Sequence, residues 1–148
     1  MKHVNFGTAK KLKAVGYEQP PPASGQTWYY EMAFYIAAIE SGKHQYPGAY
    51  GFFEYKDEQP FMSFIEFGTQ WDFFTHAPDA TEILQRIQME YSTHSVKLEY
   101  RAPWGKYAAT FDNPNSELNW TFYDTNPHEV MARLYIQIKE SVNTENEE

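Results

Sequence analysis

The sequence predicts an α+β domain: an antiparallel sheet with about three helices, two of them packed on one face. Three observations lead there. Short apolar runs alternate with period two and are separated by turn residues. Two helices begin at proline-containing starts, Ala77-Pro78-Asp79-Ala80 and Asn126-Pro127-His128-Glu129. Strands and helices do not alternate regularly, so a parallel βαβ sheet is not expected.

Taken in order, Phe6 to Val15 reads as a short helix. Ala9, Leu12 and Val15 recur at helical spacing, Thr8 can cap it, and Gly16 stands where a left-handed terminator belongs. Gln19-Pro20-Pro21-Pro22 ends the helix and runs extended. Trp28 to Ile36 fits two patterns. Trp28, Tyr30, Met32, Phe34 and Ile36 alternate as in a strand, whereas Met32, Tyr35, Ile36 and Ile39 fit a helix; the aromatic excess favours the strand. Ser41 to Gly48 is a turn-rich loop. Tyr50 to Tyr55, Phe61 to Phe67 and Gln70 to Phe74 are strand-like.

In the second helix Pro78 suits the first turn, and Ala80, Ile83, Leu84, Ile87 and Tyr91 share one face. Three strands follow, Ser95 to Tyr100, Tyr107 to Phe111 and Trp120 to Tyr123, joined by turns at Pro103–Gly105 and Asn113–Asn115. This spacing predicts an antiparallel meander. In the last helix Asn126 caps, Pro127 takes the first position and Glu129 completes a capping box, with Val130, Met131, Leu134 and Ile138 as its buried stripe. Residues 1–142 read as one domain and residues 143–148 as a disordered acidic tail.

Composition narrows the function classes. At 148 residues the chain can bury a core without a disulfide or a metal, and it has no cysteine. Cysteine nucleophiles, thiolate zinc sites and iron–sulfur clusters are excluded. No apolar run approaches a membrane span. The expected location is the cytoplasm, with no membrane partner. A net charge of −8 disfavours nucleic acid as a partner; Lys10, Lys11 and Lys13 form the only basic cluster and read as a solvated helix face. The aromatic content is 18%, enough to fill a β-rich core and leave side chains over for a binding surface.

The order of motifs carries a resemblance. Leu12-Lys13-Ala14-Val15-Gly16-Tyr17 closes a first helix, and Trp28-Tyr29-Tyr30 forms an aromatic strand. Ala77-Pro78-Asp79-Ala80-Thr81 opens a second helix and Asn126-Pro127-His128-Glu129-Val130 a last one. This plan resembles small phage and prophage accessory proteins of the Bacteroidetes type, over the first quarter and the last half of the chain. The segment from Ile36 to Phe67 looks like an insert. The resemblance implies a protein made in an infected cell; it brings no activity, so no functional residue is carried over.

Reactive signatures are missing from the sequence. His3, His44, His76, His94 and His128 form no HxH, HxxxH or HExxH pair, so no metal site is expected. Glu54, Glu66 and Asp72 lie in or beside apolar strands, but alternation puts Glu54 and Glu66 on solvated faces. No phosphate loop, nucleophile elbow or dinucleotide motif occurs, so no catalytic residue and no cofactor are assigned. The binding candidates are aromatic. Trp104 sits on a turn, where a tryptophan is hard to bury, and Trp71, Tyr46, Tyr50 and Phe52 cluster around the middle segment. The leading expectation is a non-enzymatic module that binds a protein partner through an aromatic surface with an acidic rim. The alternatives are a small-molecule or nucleotide-sequestering protein, with phosphates held by Arg86, Arg101, Lys106 or Arg133, and a minor virion component. A homodimer through an exposed sheet face or edge fits each of these.

Overall fold

In a computed structural model of the chain, helix α1 (Phe6–Ala14) starts at Phe6 as expected but is capped by Asn5, not by Thr8. The Asn5 side chain accepts from the Thr8 backbone N–H at 2.8 Å, which satisfies one of the free donors of the first turn. The helix ends as the glycine predicts. Gly16 adopts φ 99°, Tyr17 N–H donates to Leu12 O at 2.9 Å and Gly16 N–H to Lys13 O at 3.2 Å, the paired bonds of a Schellman ending. The structure describes residues 2–21, 23–31, 50–54, 74–112 and 119–146.

The fold is α+β, with two three-stranded antiparallel sheets where the sequence suggested one. These belong to two compact units. Met1–Tyr17 with Pro78–Glu148 make the first, and Glu18–Ala77 makes the second. In the second unit, β1 (Thr27–Glu31) is the central strand, flanked by β2 (Tyr50–Glu54) and β3 (Phe74–His76). Trp28 stands opposite Phe53 on one side and His76 on the other. β3 therefore includes Thr75 and His76, which had read as the approach to a helix. Ala77 N–H donates to Thr27 O at 2.9 Å, and Pro78, having no N–H, cannot extend the ladder further. That break accounts for a separate sheet. The strand expected at Phe61 to Phe67, and the strand-or-helix choice beyond Glu31, lie outside the described residues.

The first unit holds the other elements in chain order: α2 (Ala80–Glu90), β4 (Ser95–Arg101), a 3₁₀ turn (Ala102–Trp104), β5 (Lys106–Asp112), β6 (Asn119–Asp124) and α3 (Pro127–Asn146). The three strands form the antiparallel meander that the spacing predicts. Val96, Phe111 and Trp120 align across the sheet, as do Leu98, Ala109 and Phe122. These side chains share the inner face. Tyr91, at the end of α2, meets Phe111 edge-on with ring centroids 5.8 Å apart, and His94 stacks on Phe111 at 5.0 Å. From α3, the Arg133 guanidinium lies over Phe122. The expected stripe of α3, Val130, Met131, Leu134 and Ile138, is buried, together with Ala132 and Tyr135.

Capping departs from the sequence reading in two places. Pro78 lies outside α2, and Asp79 is the cap, accepting from Glu82 N–H at 2.9 Å. In α3, Asn126 caps as expected, accepting from His128 and Glu129 N–H. Glu129 does not close the box; Asp124 instead accepts from Asn126 N–H at 2.9 Å. The Glu129 carboxylate is turned to α1. One oxygen takes Asn5 N–H at 2.8 Å, and the other takes Asn5 Nδ2 at 2.9 Å and the Thr8 hydroxyl at 2.6 Å. Beside it, His128 Nδ1 accepts from Ala80 N–H at 2.8 Å, capping α2. The last helix also runs through Asn146, four residues into the stretch read as a tail; nothing between Ser141 and Asn146 is a glycine or proline that would stop it.

Where α2, α3 and the end of α1 meet, tyrosines are packed with cations. Tyr17 meets Tyr135 edge-on at 5.2 Å, Arg86 lies over Tyr17, and Lys139 lies over both Tyr91 and Tyr135. Lys139 also pairs with Glu90 at 2.9 Å. Burial, seconded by the Glu82 charge, pushes the Tyr17 phenol far up from its usual range. Burial does the same to Tyr135, whose hydroxyl has no partner at hydrogen-bond geometry, so that Glu90 acts on it as a nearby negative charge.

Two outcomes follow from this packing. Glu129→Ala should lower unfolding stability by about 1–3 kcal/mol, since it strips three bonds from a capping network, as measured by chemical denaturation. Stability should hold up to the usual tyrosine pKa of about 10 and fall above it, because the unfolded chain ionises phenols that the fold keeps neutral. Tyr17→Phe should flatten that alkaline loss in a series of melts at increasing pH.

Candidate binding surface

The most exposed aromatic grouping among the described residues of the first unit lies at the far end of the β4–β5 hairpin. Its geometry starts with the turn. Pro103 favours a tight bend after Arg101, and Gly105 closes it in the left-handed region at φ 60°, with its N–H bonded to Ala102 O at 3.2 Å. This places Trp104 on the outside of the bend, 60% exposed.

Strand register supplies its neighbours. Glu99, Ala108 and Tyr123 align across the outer face of the sheet, and Arg101 pairs with Lys106 at the hairpin end. Trp104 folds toward this face and meets Tyr123 edge-on, with ring centroids 5.6 Å apart. The Arg101 guanidinium lies 5.9 Å from the Trp104 ring centre and 3.4 Å from the Glu99 carboxylate. Ala108, small and central, is 1% exposed: its neighbours close over it, so the outer face is covered by larger side chains at this point. On the inner face of the same end, Tyr100 is 59% exposed and tilts against Tyr107 at 5.0 Å.

This end of the sheet therefore carries three exposed aromatic rings, Trp104 and Tyr123 on the outer face with Arg101 and Lys106, and Tyr100 on the inner face. Glu99 is shared between Arg101 and Lys97, which lies 3.3 Å away. Charges of both signs border the rings, Lys97, Arg101 and Lys106 with Glu99 among them. Such an assembly offers flat apolar area at low entropic cost, together with cations held near ring faces.

The other aromatic candidates belong to the second unit or are not described. Tyr50 and Phe52 lie on β2; Phe52 is exposed and meets Tyr29 edge-on at 6.0 Å. Trp71 and Tyr46 lie outside the described residues, as do Glu66, Asp72 and His44. Tyr100 and Tyr123 were not singled out by the sequence, and Arg101 was singled out only as a cation for phosphate, not as a neighbour of Trp104. The alternation of β4 and β6 contained the signal, but only the register shows which residues flank Trp104.

The remaining chemical candidates have structural roles. Glu54 is exposed at the end of β2. His76 is buried with its ring 5.2 Å from Trp28, and His128 caps α2. Among the described residues no group of three His, Asp or Glu side chains gathers at metal-binding distance. The four cations considered for phosphate binding are dispersed over different elements: Arg86 covers Tyr17, Arg133 covers Phe122, and only Arg101 and Lys106 adjoin each other. No helix of the described residues is long and apolar enough to cross a membrane. No family model, curated protein or solved structure matches the chain.

The surface and its scaffold separate cleanly in the expected response to substitution. Trp104→Ala should leave thermal and denaturant midpoints nearly unchanged, within about 0.5 kcal/mol, as for other exposed side chains. Gly105→Ala should cost about 1–2 kcal/mol, since no atom obstructs a Cβ there and the whole penalty is the left-handed backbone.

Proposed function

We propose that this protein is a non-enzymatic binding module that docks a protein partner on the aromatic end of the β4–β5 hairpin. The observation that carries the reading is the placement of Trp104 and Tyr123, both exposed, beside Arg101 on the outer face at the end of the β4–β5 hairpin. Tryptophan, tyrosine and arginine are the residue types that dominate binding hot spots, and a ladder of main-chain bonds holds these in place before any partner arrives. The paired cations Arg101 and Lys106 suit a partner segment that brings carboxylates as well as an apolar anchor.

The cellular setting is a separate part of the proposal. The resemblance to small phage and prophage accessory proteins places the partner in an infected bacterial cytoplasm, either a host protein or another phage product. The lack of any nucleophile, phosphate-loop or dinucleotide signature supports binding over catalysis.

Affinity capture from infected-cell lysate tests both parts. The tagged protein should retain a specific partner that Trp104→Ala and Tyr123→Ala variants release, by a factor of about ten or more for a residue at a hot spot. Equal retention by all three, with their folds intact, would overturn the assignment of this surface.

A further inference from the structure

Independently of the hairpin surface, we infer that the first unit has a second site: a groove for a small amphoteric organic acid, one with an oxyanion at one end and a hydrogen-bond donor at the other. Helix α1, helix α3 and strand β6 enclose an open groove of about 520 Å³, within the range of small-ligand sites. Glu129 sets its geometry by holding the start of α1 against the start of α3. Thr8, Lys11 and Val15 then line the groove from α1, at helical spacing, and Arg133, Gln137 and Glu140 line it from α3.

The charges decide what fits. Among the described residues neither Lys11 nor Arg133 forms an ion pair, and both line this one groove. Arg133 is also pre-oriented. Its guanidinium lies over the Phe122 ring at 5.0 Å, and Nη1 donates to Tyr123 O at 3.4 Å. A planar donor fixed in this way loses little freedom on engaging an oxyanion.

The far end has the opposite character. Glu140 follows Arg133 by seven residues on the same helix, about 10 Å along the axis at 1.5 Å per residue. Gln137, which also lines the groove, lies between them, with its Nε2 donating to Ser141 at 3.1 Å. Val15, Ala14 and Ile136 supply apolar wall. The ligand is thus an acid whose carboxylate or phosphate meets Lys11 and Arg133, whose body covers the apolar wall, and whose amine or hydroxyl reaches Glu140.

Nuclear magnetic resonance titration of the isotope-labelled full chain tests this with three probes: octanoate, its ω-amino derivative and inorganic phosphate. The ω-amino acid should shift the amides of Lys11, Arg133 and Glu140 saturably. Lys11→Met should weaken both carboxylates about tenfold, the scale of one charge-assisted bond. Glu140→Gln should weaken the ω-amino acid and leave octanoate unchanged. Both residues are exposed, so neither variant removes a core contact. No saturable shift with either carboxylate, or equal binding by the Lys11→Met protein, would overturn the site. Phosphate binding as tightly as the ω-amino acid would overturn the amphoteric ligand.

Discussion

The first turn of the last helix holds the first unit together. Two adjacent side chains there, His128 and Glu129, each satisfy backbone donors at the start of another helix: His128 at α2, Glu129 at α1. Asn126 and Asp124 cap the helix that carries them. Three helix starts, each with unsatisfied N–H groups, are thereby brought into one hydrogen-bonded knot. Val4 N–H, donating to Pro78 O at 3.1 Å, ties the segments before α1 and α2 in the same place. Anionic side chains belong at this end of helices, where the backbone dipoles point their positive poles, so Asp79 and Glu129 are well placed for charge as well as for geometry. The positions of the core stripe of α3, the tyrosine cluster and the groove beside α1 all depend on this knot.

Away from the knot, aromatic side chains do two kinds of work. On one face of the β4–β5–β6 sheet, His94, Phe111 and Trp120 stack in series. Between the helices, Tyr17, Tyr91 and Tyr135 accept Arg86 and Lys139 against their faces, so long cationic side chains cover apolar surface while keeping their charge near a carboxylate or solvent. Trp104 and Tyr123 use the same edge-on contact on the outer face, but there the surrounding strands leave them open.

Local signals were legible in the sequence, and long-range ones were not. The Schellman ending at Gly16, the cap at Asn126 and the meander from Ser95 to Tyr123 each depend on residues within a few positions of one another, and each is present. The buried stripe of α3 followed from its period. The reading failed where a local rule competed with a distant partner. Glu129 has the spacing for a capping box, yet bonding three donors of α1 outweighs bonding one of its own helix. Pro78 has the look of a first-turn proline, but Asp79 offers the better acceptor and takes the cap. Trp104 was legible as a tryptophan on a turn; Tyr123 and Arg101 beside it were not, because strand register is fixed by pairing and not by spacing along the chain.

The bond between Asn5 and Glu129 spans 124 positions, and all of the second unit intervenes between its ends. During synthesis α1 is therefore made well before α3, the helix that anchors it, and cannot take its seat against that helix before α3 exists. Until then Leu12 and Ala9, both buried in the finished protein, have no surface to cover. The second unit has no such dependence on α3 within its own strand pairing, since β1, β2 and β3 all precede α2 in the chain. Chain order thus lets the strands of the second unit pair before α1 and α3 can meet to close the first.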